Sequence, residues 1–373
     1  MTEGVAHDAT DPSAPDRPRA VRAGEELDVP RLEAWLRGHA PGDWKGPLDV
    51  EQFPGGYSNL TYLLRAGATE WVLRRPPVGA SIRTAHDMGR EFRMLTRLRP
   101  VFPCVPRAIA ACDDPSVIGA PFYVMDRVKG VIPRTRAVLA QLVPGEEAVR
   151  ALARRLVDTL AALHAVDWAA AGLADLGRPE GYVARQVGGW TERYLRARTD
   201  DLPEVERAAA WLQAQPSAAA EAAIIHNDFK FDNLVLDPGD PTRILAVLDW
   251  EMATLGDPLM DLGTSLGYWV DRDDPPDWQR MVPGGVTLAP GMLSREDVVA
   301  AYEAVSGRTV ERPVFVYVFG VFKVAVIAQQ IYARYRQGLT GDPRFAGLGH
   351  VVAGCGQMAC RAIDRQRIGR LGD

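Results

Sequence analysis

The sequence predicts an α+β protein of two lobes, with a small β-rich N-terminal part and a larger, mostly helical C-terminal part. Strand-like runs separated by glycine turns lie close together near the N-terminus. From Gly145 onward, amphipathic patterns rich in good helix formers dominate, and one short β-rich island interrupts them at residues 223–251. The length of 373 residues exceeds what one small core needs. Together these patterns outline two lobes.

The N-lobe is predicted over residues 29–127, after a tail at residues 1–28. The tail begins with a stretch rich in proline, aspartate and alanine that has no apolar leader segment, so we expect it to be disordered. Helical spacing follows in VPRLEAWLRGHA, and the runs LDVEQF, NLTYLLRA and EWVLRR then predict an antiparallel meander. The segment TAHDMGREFRMLTRLRP predicts a helix that ends at Pro100, and GAPFYVMDRVKG predicts a further strand.

The C-lobe is predicted over residues 128–373, with the β island inside it. A long helix is indicated in GEEAVRALARRLVDTLAALHAVD, two more helices at residues 182–215, and further helices from the island to the C-terminus. The apolar stretch at residues 313–331 is interrupted by Gly320 and Lys323, which favours a buried core helix over a membrane span.

Composition limits the partners that the chain is expected to have. A net charge of −5 and an isoelectric point near 5.8 argue against a nucleic-acid binder. The four cysteines form no C-x-x-C pair and have no histidines at zinc-ligand spacing, so buried thiols are expected. We therefore expect a cytoplasmic protein with no membrane partner, whereas its oligomeric state cannot be predicted.

The island carries the chemistry. Residues 226–233 read H-x-D-x-x-x-x-N, and an Asp-Trp-Glu that ends the next apolar run follows 16 residues after Asn233. Two strand ends thereby deliver Asp228, Asn233 and Asp249 to one edge. Asp228 suits the removal of a proton from an acceptor hydroxyl, and the other two suit Mg²⁺ held against nucleotide phosphates. A polar hairpin is the alternative, but the full spacing favours phosphoryl transfer.

The sequence resembles the aminoglycoside phosphotransferase-like family of small-molecule kinases, from about residue 50 to the C-terminal helices. The segments that carry the resemblance occur in the family's order: GGYSNLTY, VLRRPP, AHDMGREF, GAPFYVMDRVKG, HNDFKFDN, LDWE and GDPLMDLG. VLRRPP and DWE are typical of the branch that also occurs fused to acyl-CoA dehydrogenases. The resemblance implies a protein-kinase-like bilobal fold that transfers the γ-phosphate of ATP, with Mg²⁺, to a small-molecule hydroxyl.

Two nucleotide-binding segments are implied by the resemblance. The phosphate-covering loop falls on Gly56, Ser58 and Asn59. Its glycines are explained equally well by a plain hairpin turn, because the segment is not G-x-G-x-x-G. The adenine would lie against Met125 and bond the backbone of Asp126 and Val128.

Glu91 and Arg74 are implied to form the ion pair that kinases place beside the phosphates. Glu91 lies on an apolar helical stripe, where a glutamate seldom stays unpaired. The chain has no lysine between Lys45 and Lys129, so an arginine of EWVLRRPP must take the place of the usual lysine. Strand alternation sends neighbouring arginines to opposite faces, and family alignment favours Arg74, which leaves Arg75 for solvent.

An alternative stays open for Glu91, which could instead bond Arg90, Arg93 or Arg99 of its own helix. The missing lysine also leaves open a nucleotide-binding pseudokinase without transfer activity, although the intact Asp228, Asn233 and Asp249 speak against it.

Four further residues are assigned supporting roles. His226 is expected to anchor the loop by hydrogen bonding, and the family's pattern makes Asp261 a brace for it. Lys230 either reaches a transition-state phosphate or is simply exposed, and Glu251 supports the metal or the acceptor. Asp257 is expected to cap a helix.

The acceptor is the least determined part. Basic helical segments, TERYLRART and YARYRQ, favour an anionic acceptor such as a hydroxyacyl-CoA over the polycationic aminoglycosides. An aminoglycoside or macrolide acceptor is the alternative, and the preference for ATP or GTP is left open.

Overall fold

The computed structural model describes residues 17–42, 44–53, 59–77, 87–216, 221–281 and 284–372. The strands in this part of the chain are β1 Asp49–Gln52, β2 Leu60–Ala66, β3 Thr69–Arg75, β4 Ala108–Cys112, β5 Phe122–Asp126, β6 Ala223–Ile225, β7 Leu234–Leu236, β8 Ile244–Val247 and β9 Thr254–Gly256. The α-helices are α1 Val29–His39, α2 Met88–Leu98, α3 Arg136–Leu142, α4 Glu146–His164, α5 Tyr182–Ala197, α6 Pro203–Gln213, α7 Pro258–Gly267, α8 Pro276–Met281, α9 Arg295–Ser306, α10 Pro313–Arg336 and α11 Leu348–Arg365.

The N-lobe is a five-stranded antiparallel sheet in the order β1-β2-β3-β5-β4. The predicted meander is confirmed, and Gly67 supplies the positive φ of 61° that the turn between β2 and β3 requires. The sequence analysis missed β4. β3, with its two arginines, pairs with β2 and β5 and so lies in the middle of the sheet rather than at an edge.

Both faces of this sheet are covered. One face packs against α1, with Trp71 and Leu73 in that cluster, and the other packs against α2, with Val72 in the larger core. On α2 the predicted stripe is confirmed, since Met88, Glu91, Leu95 and Leu98 are all buried. This arrangement places Glu91 under the cleft face of the sheet.

Disorder was predicted for residues 1–28, but the described part of this segment, residues 17–28, packs against the N-lobe sheet. Arg19 pairs with Gln52 through two backbone hydrogen bonds, and the Tyr62 hydroxyl donates to the Glu25 carbonyl at 2.7 Å. The edge of β1 offers unpaired backbone groups, and the segment from Arg19 satisfies them. Residues 1–16 lie outside the described residues.

The C-lobe packs its helices around α10. The chain leaves β5 at Asp126, and Val131 then pairs with Leu236 of the island. A Cβ on Gly320 of α10 would collide with the backbone of Gly263 in α7, so this glycine permits two helices to approach closely. By length and composition α10 could cross a membrane, but 78% of its most apolar window is buried, as expected of a core helix.

The island forms two short antiparallel pairs, β6 with β9 and β7 with β8. The sequence analysis predicted the island but not β9, which lies beyond its predicted end. The loop at residues 226–233 leaves β6 and enters β7, while β8 ends just before Asp249. The two pairs therefore bring both polar segments to the edge that faces the N-lobe.

Candidate active site

The loop at residues 226–233 is held from below by one buried carboxylate. Asp261, at the start of α7, accepts the backbone N–H groups of His226 and Asn227, each at 2.7 Å. His164 of α4 contacts the same carboxylate through Nε2 at 3.1 Å. Asp261 is completely buried, and despite that burial the hydrogen bond and charge of His164 hold its pKa below the usual value. It braces the loop, as the family's pattern implied.

His226 anchors the loop in a single tautomer. Its Nδ1 accepts the backbone N–H of Asp228 at 3.2 Å, so Nε2 carries the hydrogen and donates to the Leu248 carbonyl at 2.9 Å. The ring packs against Trp250, with centroids 4.7 Å apart. Burial lowers the pKa of His226, which favours the neutral ring that these two bonds require. An anchoring role fits this geometry, and a role as base does not.

Asp228 lies at the centre of a polar cluster on the loop. Asn233 donates its two amide hydrogens to Asp228, one to the carbonyl at 2.8 Å and one to Oδ2 at 2.9 Å. Lys230 donates to Oδ1 at 2.9 Å, and its ammonium lies 4.3 Å from the centre of the Tyr268 ring. Burial opposes the charged form of Lys230, yet Tyr268 and Asp228 raise its pKa. Lys230 is therefore a partner of Asp228 and not a free surface lysine.

Asp249 has a left-handed backbone conformation, with φ of 65°, and the residue before it, Leu248, donates its N–H to the Asn233 carbonyl at 2.8 Å. The Oδ1 of Asp249 lies 2.9 Å from Nη2 of Arg74. Burial raises its pKa, but the Arg74 charge outweighs that effect and holds the pKa below its ordinary value, so Asp249 stays ionised. Because Asp228 occupies both amide hydrogens of Asn233, the amide oxygen is the atom left for a cation.

These oxygens fit Mg²⁺ bound mainly through nucleotide phosphates, since magnesium typically takes one or two protein ligands in such sites. Within the residues that the structure describes, no group of three or more Asp, Glu, His or Cys side chains forms a metal cage by itself. The roles of Asn233 and Asp249 as metal ligands stay predictions.

Arg74 contacts three carboxylates, one in its own N-lobe and two in the C-lobe, and so connects the two lobes. Its Nη1 lies 2.6 Å from Glu91, and its Nη2 lies 2.9 Å from Asp249 and 3.3 Å from Glu251. Arg74 and Glu91 are both buried. Burial raises the pKa of Glu91, and the adjacent guanidinium opposes that rise. The predicted ion pair between β3 and α2 is present, with arginine where kinases have lysine.

The alternative partners of Glu91 are not used. Among the described residues it pairs with Arg74 rather than with Arg90, Arg93 or Arg99 of its own helix. Arg90 instead donates to two backbone carbonyls of the C-lobe, at 2.8 and 2.6 Å. That contact fastens α2 to the C-lobe and so keeps Glu91 beside the cleft.

The prediction that Arg75 faces solvent is wrong. Arg75 does point to the face opposite Arg74, but only 5% of it is exposed. Its Nη1 donates to the Ile118 carbonyl at 3.0 Å, and its guanidinium lies 6.0 Å from the centre of the Tyr62 ring. The second face of the sheet is itself covered by α1 and neighbouring segments, so alternation sends Arg75 into another core.

Asn59 reaches across the cleft. Its amide donates to Oε2 of Glu251 at 2.7 Å, the same oxygen that Arg74 contacts. The sequence analysis expected Asn59 to serve phosphate and Glu251 to serve metal or acceptor, and it missed the bond between them. Gly56 and Ser58 lie outside the described residues, so their predicted roles stay predictions.

The predicted adenine site lies where β5 ends. Met125 is buried and pairs with Val72 of β3. The backbone N–H of Asp126 donates to the Arg107 carbonyl at 2.9 Å, so that N–H is not available to a base. Val128 follows half-buried on the connection between the lobes. Contacts of these residues with adenine stay predictions.

Lys323 is a site residue that sequence reasoning missed. It is 1% exposed, and its Nζ lies 2.7 Å from the carbonyl of Asn227, the residue before Asp228. The ammonium is 5.5 Å from the centre of the Trp190 ring, and the guanidinium of Arg193 is 4.4 Å from the same centre. The available signal was a single lysine within an apolar helix, which the sequence analysis used only to argue against a membrane span.

Comparison with known proteins decides the family. The model of the phosphotransferase enzyme family (APH) matches residues 49–303, which is more than half of the chain. The chain belongs to this phosphotransferase family. Its fold is accordingly the bilobal, kinase-like α+β fold that the resemblance implied, and the five-stranded sheet with the helical lobe agrees with it.

Three relatives place this phosphotransferase-family chain more closely. It is 35% identical over 325 residues to acyl-CoA dehydrogenase family member 11 of Rattus norvegicus and 36% identical over 324 residues to that of Homo sapiens, with 84% of this chain covered in each case. It spans about 40% of the length of these curated relatives. A solved structure from Ralstonia eutropha, of a protein proposed to be an aminoglycoside phosphotransferase, matches with TM-score 0.76 and 32% identity, over 91% of this chain and 99% of that one.

Proposed function

We propose that this chain is a Mg·ATP-dependent kinase that phosphorylates a hydroxyl group of an anionic acyl compound, of the hydroxyacyl-CoA class. The observation that carries the proposal is the position of Asp228. It shares its loop with Asn233, bonds Lys230, whose ammonium lies over the Tyr268 ring, and shares the site with the carboxylates that Arg74 links.

The chemistry assigned to these residues is in-line phosphoryl transfer. The acceptor oxygen bonds to the γ-phosphorus, the bond between that phosphorus and the bridging oxygen breaks, and ADP leaves. The hydroxyl proton passes to the carboxylate of Asp228. Mg²⁺, held through Asn233 and Asp249, would neutralise phosphate charge. Lys230, already 2.9 Å from Asp228, is placed to offset charge on the transferred group.

The charge of the acceptor side supports an anionic acceptor. Lys230 donates to Asp228 and lies over the Tyr268 ring, and the exposed Arg193 lies over the Trp190 ring. The buried Lys323, 5.5 Å from the centre of the Trp190 ring, adds a third positive charge. A polycationic aminoglycoside would be repelled by this surface, whereas a CoA thioester carries phosphates that it attracts.

An apolar recess beside the loop supports an acyl chain. It has a volume of about 240 Å³ and lies next to Lys230. Its apolar lining residues are Phe229, Phe231, Tyr268, Trp269 and Val286. The curated relatives named acyl-CoA dehydrogenase also support an acyl-CoA acceptor for this domain.

The test is a turnover assay with three classes of acceptor. The full chain is incubated with Mg·ATP, or with Mg·GTP, and a panel of hydroxyacyl-CoAs, aminoglycosides and macrolides, and ADP or GDP and phosphorylated products are followed by mass. We expect product with a hydroxyacyl-CoA alone. Product with an aminoglycoside or macrolide instead would make the chain an antibiotic kinase and overturn the acceptor assignment. ATP binding without turnover of any acceptor would indicate a pseudokinase.

A further inference from the structure

Lys323 is a buried charge, and two of its three hydrogen bonds go to the catalytic loop. It lies in the middle of α10, and a buried ammonium is costly unless it is well bonded. In the described part of the chain, no carboxylate lies within ion-pair distance of its Nζ. Its acceptors are the Asn227 carbonyl at 2.7 Å, the Asn227 Oδ1 at 3.2 Å and the Thr264 hydroxyl at 3.4 Å. Two of its three bonds therefore go to one residue.

Asn227 directly precedes Asp228 on the catalytic loop. It has a left-handed φ of 66°, which a residue other than glycine keeps only when its surroundings hold it. Its N–H is held by Asp261, its amide hydrogen by the Met252 carbonyl at 3.1 Å, and its carbonyl by Lys323. The Tyr182 hydroxyl also donates to the Asn227 Oδ1, at 3.2 Å, so the contact that Lys323 adds to this turn is the hydrogen bond to the backbone carbonyl.

We propose that Lys323 is a positioning residue that fixes Asp228 through Asn227, so that α10 takes part in organising the catalytic loop. The role in turnover rests on the proposed function, whereas the effect on loop order does not. Lys323 does not contact the reacting atoms, because Asn227 stands between it and Asp228.

The charges that face Lys323 make this contact dependent on pH. Burial lowers its pKa to about 8; Asp261 on α7 and Asp228 on the loop oppose that shift, and Lys230 on the loop and Arg193 on α5 add to it. Below that value the ammonium has three hydrogens for its three acceptors. Above it the amine has two hydrogens and no charge, so the turn is held less firmly.

The first test measures loop order without any acceptor. Amide hydrogen exchange of the peptide at residues 224–233 is compared among the wild type, K323M and Q329M. Gln329 is the matched control, because it is equally buried on α10 but donates to Ala197 at the end of α5 and to Thr199 just after it, not to the loop. We expect loop amides to exchange more than about tenfold faster in K323M and unchanged in Q329M. Equal exchange in all three proteins would overturn the proposal.

A wild-type measurement covers the case in which K323M fails to fold. The protection factor of the loop amides, corrected for intrinsic exchange, should fall between pH 7 and pH 9.5, while those of β2 and β3 stay constant. Constant loop protection over this range would count against the role of the ammonium.

The last test separates positioning from packing in the reaction. With the hydroxyacyl-CoA that the wild type phosphorylates, K323M should lower kcat about 10- to 100-fold with little change in KM for ATP. K323R should restore part of kcat. It should also shift the alkaline limb of the pH–rate profile to higher pH. A rise in KM with unchanged kcat would contradict the role. Lysine-dependent loop order in a chain that turns over no acceptor would refute the proposed function and leave the positioning role intact.

Discussion

The two sides of Asp228 carry opposite charge. On the nucleotide side, one arginine, Arg74, is shared by Glu91, Asp249 and Glu251, so carboxylates outnumber cations. On the proposed acceptor side, Lys230 and Arg193 lie over aromatic rings, and a third cation, Lys323, is buried near Trp190.

This difference explains what each side can bind. Excess carboxylate attracts a divalent cation, and with it the phosphates of a nucleotide. Excess ammonium and guanidinium would attract the anionic acceptor that we propose. In the proposed reaction the phosphoryl group would move from the carboxylate-rich side of Asp228 to the cation-rich side. Four measurements probe this polarity.

Replacing Asp228, which lies between the two sides, should have the largest effect on the rate of phosphoryl transfer. Asp228→Asn keeps the shape but removes the proton acceptor, so we expect transfer to fall about 10²- to 10⁴-fold while Mg·ATP binding is retained. Product formation by mass and nucleotide titration by calorimetry check the two parts. Asp237→Asn, half-buried just after β7 and accepting the Gly239 N–H, is the control and should keep activity within a few fold. Transfer that survives Asp228→Asn would show that another group is the base.

The two arginines of β3 provide the next largest contrast. Arg74→Met leaves three carboxylates without their shared partner, and we expect Mg·ATP affinity to fall about 10- to 100-fold. Arg75→Met removes one hydrogen bond in the other core, so it should lower the melting temperature and leave affinity nearly unchanged. Calorimetric titration and thermal unfolding measure both. The reverse ranking would mean that the cleft-facing arginine has been misassigned.

A smaller effect is expected from the rim of the acceptor side. Arg193→Gln removes a charge that stacks on Trp190, and KM for an anionic acceptor should rise about 3- to 10-fold, less so at high salt. Arg196→Gln, on the same helix but paired with Glu192 at 3.5 Å, is the matched control. Steady-state rates at two salt concentrations test the pair. Equal changes in the acceptor KM of both variants would show that the surface near Trp190 does not contribute specifically to acceptor binding.

The smallest effect concerns pH and the anchor of the loop. Burial lowers the pKa of His226, so below about pH 6.5 the unfolded chain binds this proton more readily than the folded one. The stability that the neutral ring contributes is therefore complete above that pH and is lost as pH falls. The melting temperature should fall between pH 7.5 and pH 5, and His226→Gln should make this fall smaller. If the melting temperature of the wild type depended on pH as little as that of the variant, the prediction of a buried neutral ring would be wrong.

Much of the nucleotide side follows from local patterns. The spacing of Asp228 and Asn233 places both on one short loop, and the stripe on α2 puts Glu91 on its buried face. Alternation along β3 separates Arg74 from Arg75. These features depend on periods of two and about 3.6 residues, which are legible in the chain itself.

Tertiary structure decided the contacts that join distant segments. Asn59 meets Glu251 across 192 positions, Lys323 meets Asn227 across 96, and Arg75 is buried because a second layer covers its face of the sheet. A local pattern states which face a side chain occupies, but not what will pack against that face. By itself, therefore, the sequence determined the two-lobed kinase-like fold and the Asp228, Asn233 and Asp249 set. Only packing decided the charge on each side of Asp228, because that charge depends on which elements meet around the loop.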